Sequence, residues 1–85
     1  IQYRFSLQPG NLAIFNVVAK AGNPDLYVWQ PHSGFRPHYA ATGTGFVDTV
    51  GFAATKRGTY LVEVQAEGDS QYQLLLGGDI GPRAA

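Results

Sequence analysis

Cysteine and methionine are both absent from the 85 residues. Without cysteine there is no disulfide, no thiolate metal site and no cysteine nucleophile. The absence leaves the compartment open, because exported bacterial proteins often do without cysteine too. Charge is scarce and balanced, six basic against six acidic residues, and the only adjacent basic residues are Lys56 and Arg57. Binding nucleic acid through phosphates, or an anionic membrane, requires a clustered positive surface. The expectation is therefore no nucleic-acid partner and no membrane partner. No apolar run approaches the ~20 residues of a membrane span, and no signal-peptide pattern opens the chain. A chain that starts at Ile1 and has no Met is expected to be a fragment of a longer protein. The ending Gly81-Pro82-Arg83-Ala84-Ala85 reads as a frayed end, so the expected layout is one domain over 1–78 and a tail or linker stub over 79–85.

What is present points to many short strands. Hydrophobic residues make up 45 % and aromatic residues 13 % of the chain, too much apolar mass for a disordered segment. Five Tyr, five Phe and one Trp, with many Val and Thr, favour the pleated backbone, and eleven Gly and five Pro punctuate them. At this length folding buries only roughly 60–65 % of the unfolded surface. That leaves room for one core and little for a deep catalytic cleft.

Period-two alternation marks the individual strands. Ile1, Tyr3, Phe5 and Leu7 alternate with Gln2, Arg4, Ser6 and Gln8 before the turn Pro9-Gly10-Asn11. Leu12 to Ala19 is nearly continuously apolar and, rich in Ile14, Phe15, Val17 and Val18, reads as a central strand rather than a buried helix. In Asp25 to Gln30, Leu26 and Val28 share one face and Tyr27 and Trp29 the other. His32 to Gly45 reads as a long loop with a short strand near His38-Tyr39-Ala40. Phe46, Asp48, Val50 and Phe52 alternate again, and one helical turn is conceivable at Phe52-Ala53-Ala54-Thr55. Thr59 to Ala66 places Tyr60, Val62 and Val64 on one face, and with Gln71 to Leu76 it reads as a hairpin closed at Glu67-Gly68-Asp69-Ser70. The expected fold is all-β, an antiparallel, jelly-roll-like β-sandwich of about six to eight short strands.

Chemistry-bearing residues are few. Ser6, Ser33 and Ser70, His32 and His38, and the acids contain no Gly-x-Ser-x-Gly elbow, and nothing in their spacing holds a base against a nucleophile. The chain is expected not to be an enzyme. The spacing of His32 and His38 matches no common zinc motif. Calcium takes carboxylate and carbonyl oxygens, which makes Asn23, Asp25 and Asp48, with Asp69, the candidate ligands for the one cofactor considered. Asp25, following Pro24, reads equally well as an Asx-turn residue.

The aromatic residues form a candidate binding surface. If Leu26 and Val28 face the core, Tyr27 and Trp29 point outward, and a loop bearing His32, Phe35, His38 and Tyr39 follows directly. Such rings could stack on a sugar or on a proline-rich peptide. Alternatively, the loop folds back over them and makes a satellite core.

The strings Pro24-Asp25-Leu26-Tyr27-Val28-Trp29, Gly58-Thr59-Tyr60-Leu61-Val62-Glu63-Val64 and Tyr72-Gln73-Leu74-Leu75-Leu76 resemble the bacterial pre-peptidase C-terminal domain, over about Tyr3 to Leu76. That family is similar in fold to the collagen-binding domains of secreted collagenases. The resemblance implies a secreted, non-catalytic accessory domain at the C-terminus of a peptidase. Such a domain would aid secretion, stabilise the precursor or bind a protein substrate. Its implied partners are the parent catalytic domain and a collagen-like or other insoluble polymer. Where many relatives carry a second acidic residue before Asp-Leu-Tyr, this chain has Asn23-Pro24. A carbohydrate-binding module, or a structural spacer of an extracellular protein, would use the same sandwich.

Overall fold

A computed structural model describes residues 1–32, 34–66 and 71–81. Among these residues there are seven strands and no helix: β1 (Gln2–Leu7), β2 (Leu12–Ala21), β3 (Asp25–Trp29), β4 (Tyr39–Ala41), β5 (Val47–Ala53), β6 (Gly58–Gln65) and β7 (Gln71–Gly78). They form two antiparallel sheets, one ordered β1-β6-β3-β4 and the other β5-β2-β7. Every connection except β3–β4 carries the chain from one sheet to the other, which is the alternation of a jelly roll. The expected sandwich is the observed one.

The alternating pattern explains the packing. In β2, Ala13, Phe15 and Val17 face inward and are no more than 1 % exposed, while Leu12, Ile14, Asn16 and Val18 face out. The outward-facing Leu12, Ile14 and Val18 are apolar as well, hence the nearly unbroken run in the sequence. Leu26 and Val28 of β3 and Val62 and Val64 of β6 close the core from the other sheet. Each such side chain contributes roughly 1.5–3 kcal/mol by leaving water.

An aromatic cluster joins the layers. Phe15 meets Phe5 at 5.2 Å and Phe52 at 6.2 Å between ring centroids, and Phe52 stacks on Tyr39 at 4.5 Å and on Tyr60 at 5.6 Å. The buried Tyr60 hydroxyl donates to the Lys56 carbonyl at 2.9 Å and accepts from the Lys56 N–H at 3.3 Å, so its polar end is satisfied. Gly58, with φ 143°, lies so close to Pro31 that a Cβ there would be 2.9 Å from the Pro31 Cγ.

Several expectations are corrected. β6 and β7 do not form a hairpin: β6 pairs with β1 and β3, β7 pairs with β2, and the two strands belong to opposite sheets. Residues 67–70, read as a hairpin turn, lie outside the described residues. Phe52 and Ala53 are strand rather than helix, and the Ala54 N–H donates to the Asn11 carbonyl at 2.8 Å. Ile1 and Phe46 stand outside the alternating faces, 74 % and 82 % exposed. The body of the domain also extends past 78. Asp79 accepts from the Leu12 N–H at 2.6 Å and its own N–H donates to the Leu12 carbonyl at 2.7 Å, while Ile80 packs against the core.

Candidate functional site

The outer face of the four-stranded sheet is set by strand register. Direct cross-strand partners share a face, so Arg4, Leu61 and Trp29 form one row across β1, β6 and β3. Gln2, Glu63, Tyr27 and Ala40 form the next row, reaching β4. At the usual strand spacing the second row runs about 14 Å. Tyr27 and Trp29 are half-buried, with ring centroids 6.3 Å apart and planes tilted by 40°. One end of this platform is aromatic and the other carries both signs of charge.

Polar groups on the platform are held in place. The Gln2 side chain donates to Glu63 Oε2 at 2.9 Å and that of Gln65 to Oε1 at 2.6 Å. These bonds, Gln2 first and Gln65 second, hold the Glu63 carboxyl below its usual range and keep it charged. At the other end the indole N–H of Trp29 donates to the Phe35 carbonyl at 3.2 Å, anchoring the loop after β3 beside the platform. Phe35 stands fully in solvent there, and the His38 N–H closes the loop onto the Val28 carbonyl at 2.7 Å.

The six aromatic and histidine candidates thus separate. Tyr27, Trp29 and the Phe35 loop lie together on the outer side. His32 is exposed and takes a left-handed backbone, φ 62°, in the turn. Tyr39 turns to the opposite side: it pairs with Val28, faces the core and stacks on Phe52. His38 is exposed and packs edge-on against the Tyr39 ring at 4.4 Å. The loop neither leaves the rings bare nor seals them, since both outward rings keep part of their surface in water. Ser33 and Ser70 lie outside the described residues.

Of the calcium candidates, Asn23, Asp25 and Asp48 are described, and Asp69 lies outside the described residues. Asp48 points inward from β5, is only 6 % exposed, and is the one charged side chain among the buried residues described. Its Oδ2 has no hydrogen-bond partner among the described residues, and neither does the buried Oδ1 of Asp25 at the start of β3. Burial, and secondly the charge of Asp25, hold the Asp48 carboxyl above its usual range. Asn23 is exposed and shares a shallow polar depression with Asp25, Glu63 and Gln65. Among the described residues no group of three His, Asp or Glu side chains gathers. Asp25 and Asp48 are therefore a pair rather than a complete cage.

Sequence reasoning missed Arg4, Leu61 and Glu63, whose place beside the aromatic residues follows from register alone. It also missed the outer face of the three-stranded sheet, where Leu12, Val47 and Leu75 are each 44–53 % exposed. Their outward alternation in the strands was the available signal. Compared with protein families, curated proteins and solved structures, the chain has no significant match.

Proposed function

We propose that this chain is a non-catalytic accessory domain of a secreted bacterial peptidase, and that its Tyr27–Trp29 platform holds a protein substrate. The observation supporting this reading is the pair of adjacent rows Arg4–Leu61–Trp29 and Gln2–Glu63–Tyr27. Half-buried aromatic residues offer contact area with few rotamers left to freeze. Arg4, Gln2 and Glu63 add donors and acceptors suited to peptide groups and charged side chains. An extended chain rising about 3.1 Å per residue, as in polyproline II, would lay four to five residues along a 14 Å row. The 40° tilt between the rings favours a peptide over a flat polysaccharide, because one planar ribbon of sugars cannot stack on both rings at once.

The test is co-sedimentation with insoluble collagen, elastin, cellulose and chitin, using the wild-type chain and the Y27A, W29A and F35A variants. Binding to a protein polymer is expected, with Y27A and W29A weakening it by about 2 kcal/mol each, roughly thirtyfold. Melting temperatures of Y27A and W29A check that both fold, and F35A, at a fully exposed residue, should leave the melting temperature unchanged. Binding to cellulose or chitin alone would establish a carbohydrate module. Binding to none of the four would remove the platform reading and leave a spacer or a role in secretion.

A further inference from the structure

The two sides of the sandwich end differently. On one side the edge strands are β4, only three residues long, and β5, whose inward face carries Asp48. Tyr39 of β4 stacks on Phe52 of β5 at 4.5 Å and closes that side. A very short edge strand and an inward-pointing charged residue are two devices that keep sheet edges from pairing with other chains. On the other side the edges are β1 and β7, which among the described residues pair only with β6 and β2. β7 is eight residues long without a charge or a proline, and β1 carries one charge, the outward Arg4. Between these edges Tyr3, Phe5, Tyr72, Leu74 and Leu76 line a groove and stay half-buried. Inward residues one strand further in, Phe15, Val17 and Val62, are at most 1 % exposed.

We propose that a second copy of this chain docks on the β1–β7 side, edge to edge, about a two-fold axis normal to the sheets. The Tyr3 and Tyr72 hydroxyls lie 3.3 Å apart toward one end of the two edges, and Ser6 and Leu7 share a depression with Gly78 at the other. β1 and β7 therefore run the same way at the same level, and two residues on from the tyrosine pair one axis passes by both Phe5 and Leu74. That axis sets each β1 antiparallel to the other β1 and each β7 antiparallel to the other β7, extending both sheets at once. A single extended peptide could pair with only one of the two edges, which favours a second copy over a lone strand. Along β1, Phe5 meets Phe5, Tyr3 meets Leu7, and Arg4 falls opposite Ser6 rather than opposite another Arg4. The eight residues of β7 span about 27 Å, and the sandwich measures 18 Å in its thinnest dimension. Their product gives roughly 500 Å² from each copy and about 1,000 Å² for the pair, the lower bound of a specific interface. A weak dimer, with Kd on the order of 10⁻⁵–10⁻⁴ M, fits that size. The Tyr27–Trp29 platform lies on the outer face and stays uncovered, so the inference does not depend on it.

The experiment is sedimentation velocity of the whole chain from about 5 µM to about 1 mM at low salt. The mass should rise with concentration from 9.2 kDa toward twice that value. Ser6 is exposed, so S6K and S6E should fold as the wild type does, which melting at the lowest concentration checks. S6K sets a lysine opposite Arg4 twice in the dimer and should weaken association by roughly two- to thirtyfold. S6E sets opposite charges together at the same two places and should strengthen it by a similar factor. A single 9.2 kDa species over the whole range overturns the dimer. An association that S6K and S6E leave unchanged, or shift in the same direction, overturns this edge as its interface.

Discussion

Gly78 ends β7 with a left-handed backbone, φ 69°, and a Cβ built there would lie 2.5 Å from the Leu12 carbonyl oxygen and 3.0 Å from its carbon. Those atoms are backbone, and Leu12 is tied to Asp79 through two hydrogen bonds, so neither side can yield. Gly10 also has positive φ, 91°, but a Cβ there would meet nothing within 4 Å. Both G78A and G10A incur the roughly 1–2 kcal/mol of a left-handed L-residue, and G78A adds the clash. Urea denaturation should therefore show G78A losing clearly more stability than G10A. Equal losses would refute the steric reading. Tyr60 shows the same logic for a polar group. Y60F removes the donor to the Lys56 carbonyl, a loss of roughly 0.5–1.5 kcal/mol.

Between elements, the open side of the sandwich is bridged by Tyr3 of β1 and Tyr72 of β7, whose hydroxyls lie 3.3 Å apart. Burial first, then the hydrogen bond and charge of Tyr3, push the Tyr72 phenol up to about 12. An unfolded tyrosine ionises near 10, so the contribution of this group is fully present below pH 10 and is lost as pH rises from 10 through 12. The urea midpoint of the wild type should fall between pH 10 and 12 more steeply than that of Y72F. Parallel declines in the two proteins would show that Tyr72 does not bridge the sheets. Nothing in the sequence joined these two residues, because pairings between sheets leave no local trace. Inward alternation in β1, β3 and β6 was plain, and with it the outward placement of Tyr27 and Trp29. The partner of β7 was not legible: a short polar connection reads alike whether the chain turns back as a hairpin or crosses to the facing sheet. Tyr39 was misplaced for a related reason. The long loop before β4 erases the phase of the alternation, so the face on which Tyr39 re-enters is decided by its pairing with Val28.

At the scale of the molecule, β3–β4 is the one pairing between consecutive strands among the described residues, and the others join segments far apart in the chain, such as β1 with β6 and β2 with β7. Closing such loops costs entropy before any contact returns it, which places the chain among domains that fold in milliseconds to seconds. With no cysteine, that rate should be the same with and without reductant. The β3–β4 hairpin, with β6 added to it, is the cheapest nucleus, since β7 can dock only once β2 is in place. Trp29, the single tryptophan, sits in β3 and reports its formation. V28A removes two carbons from a fully buried site, roughly 2 kcal/mol, well above the ~0.6 kcal/mol needed for a reliable φ-value. In stopped-flow fluorescence V28A should slow refolding, whereas L74A in β7 should leave refolding nearly unchanged and speed unfolding. If L74A slows refolding and V28A does not, the three-stranded sheet forms first and the order of assembly is reversed.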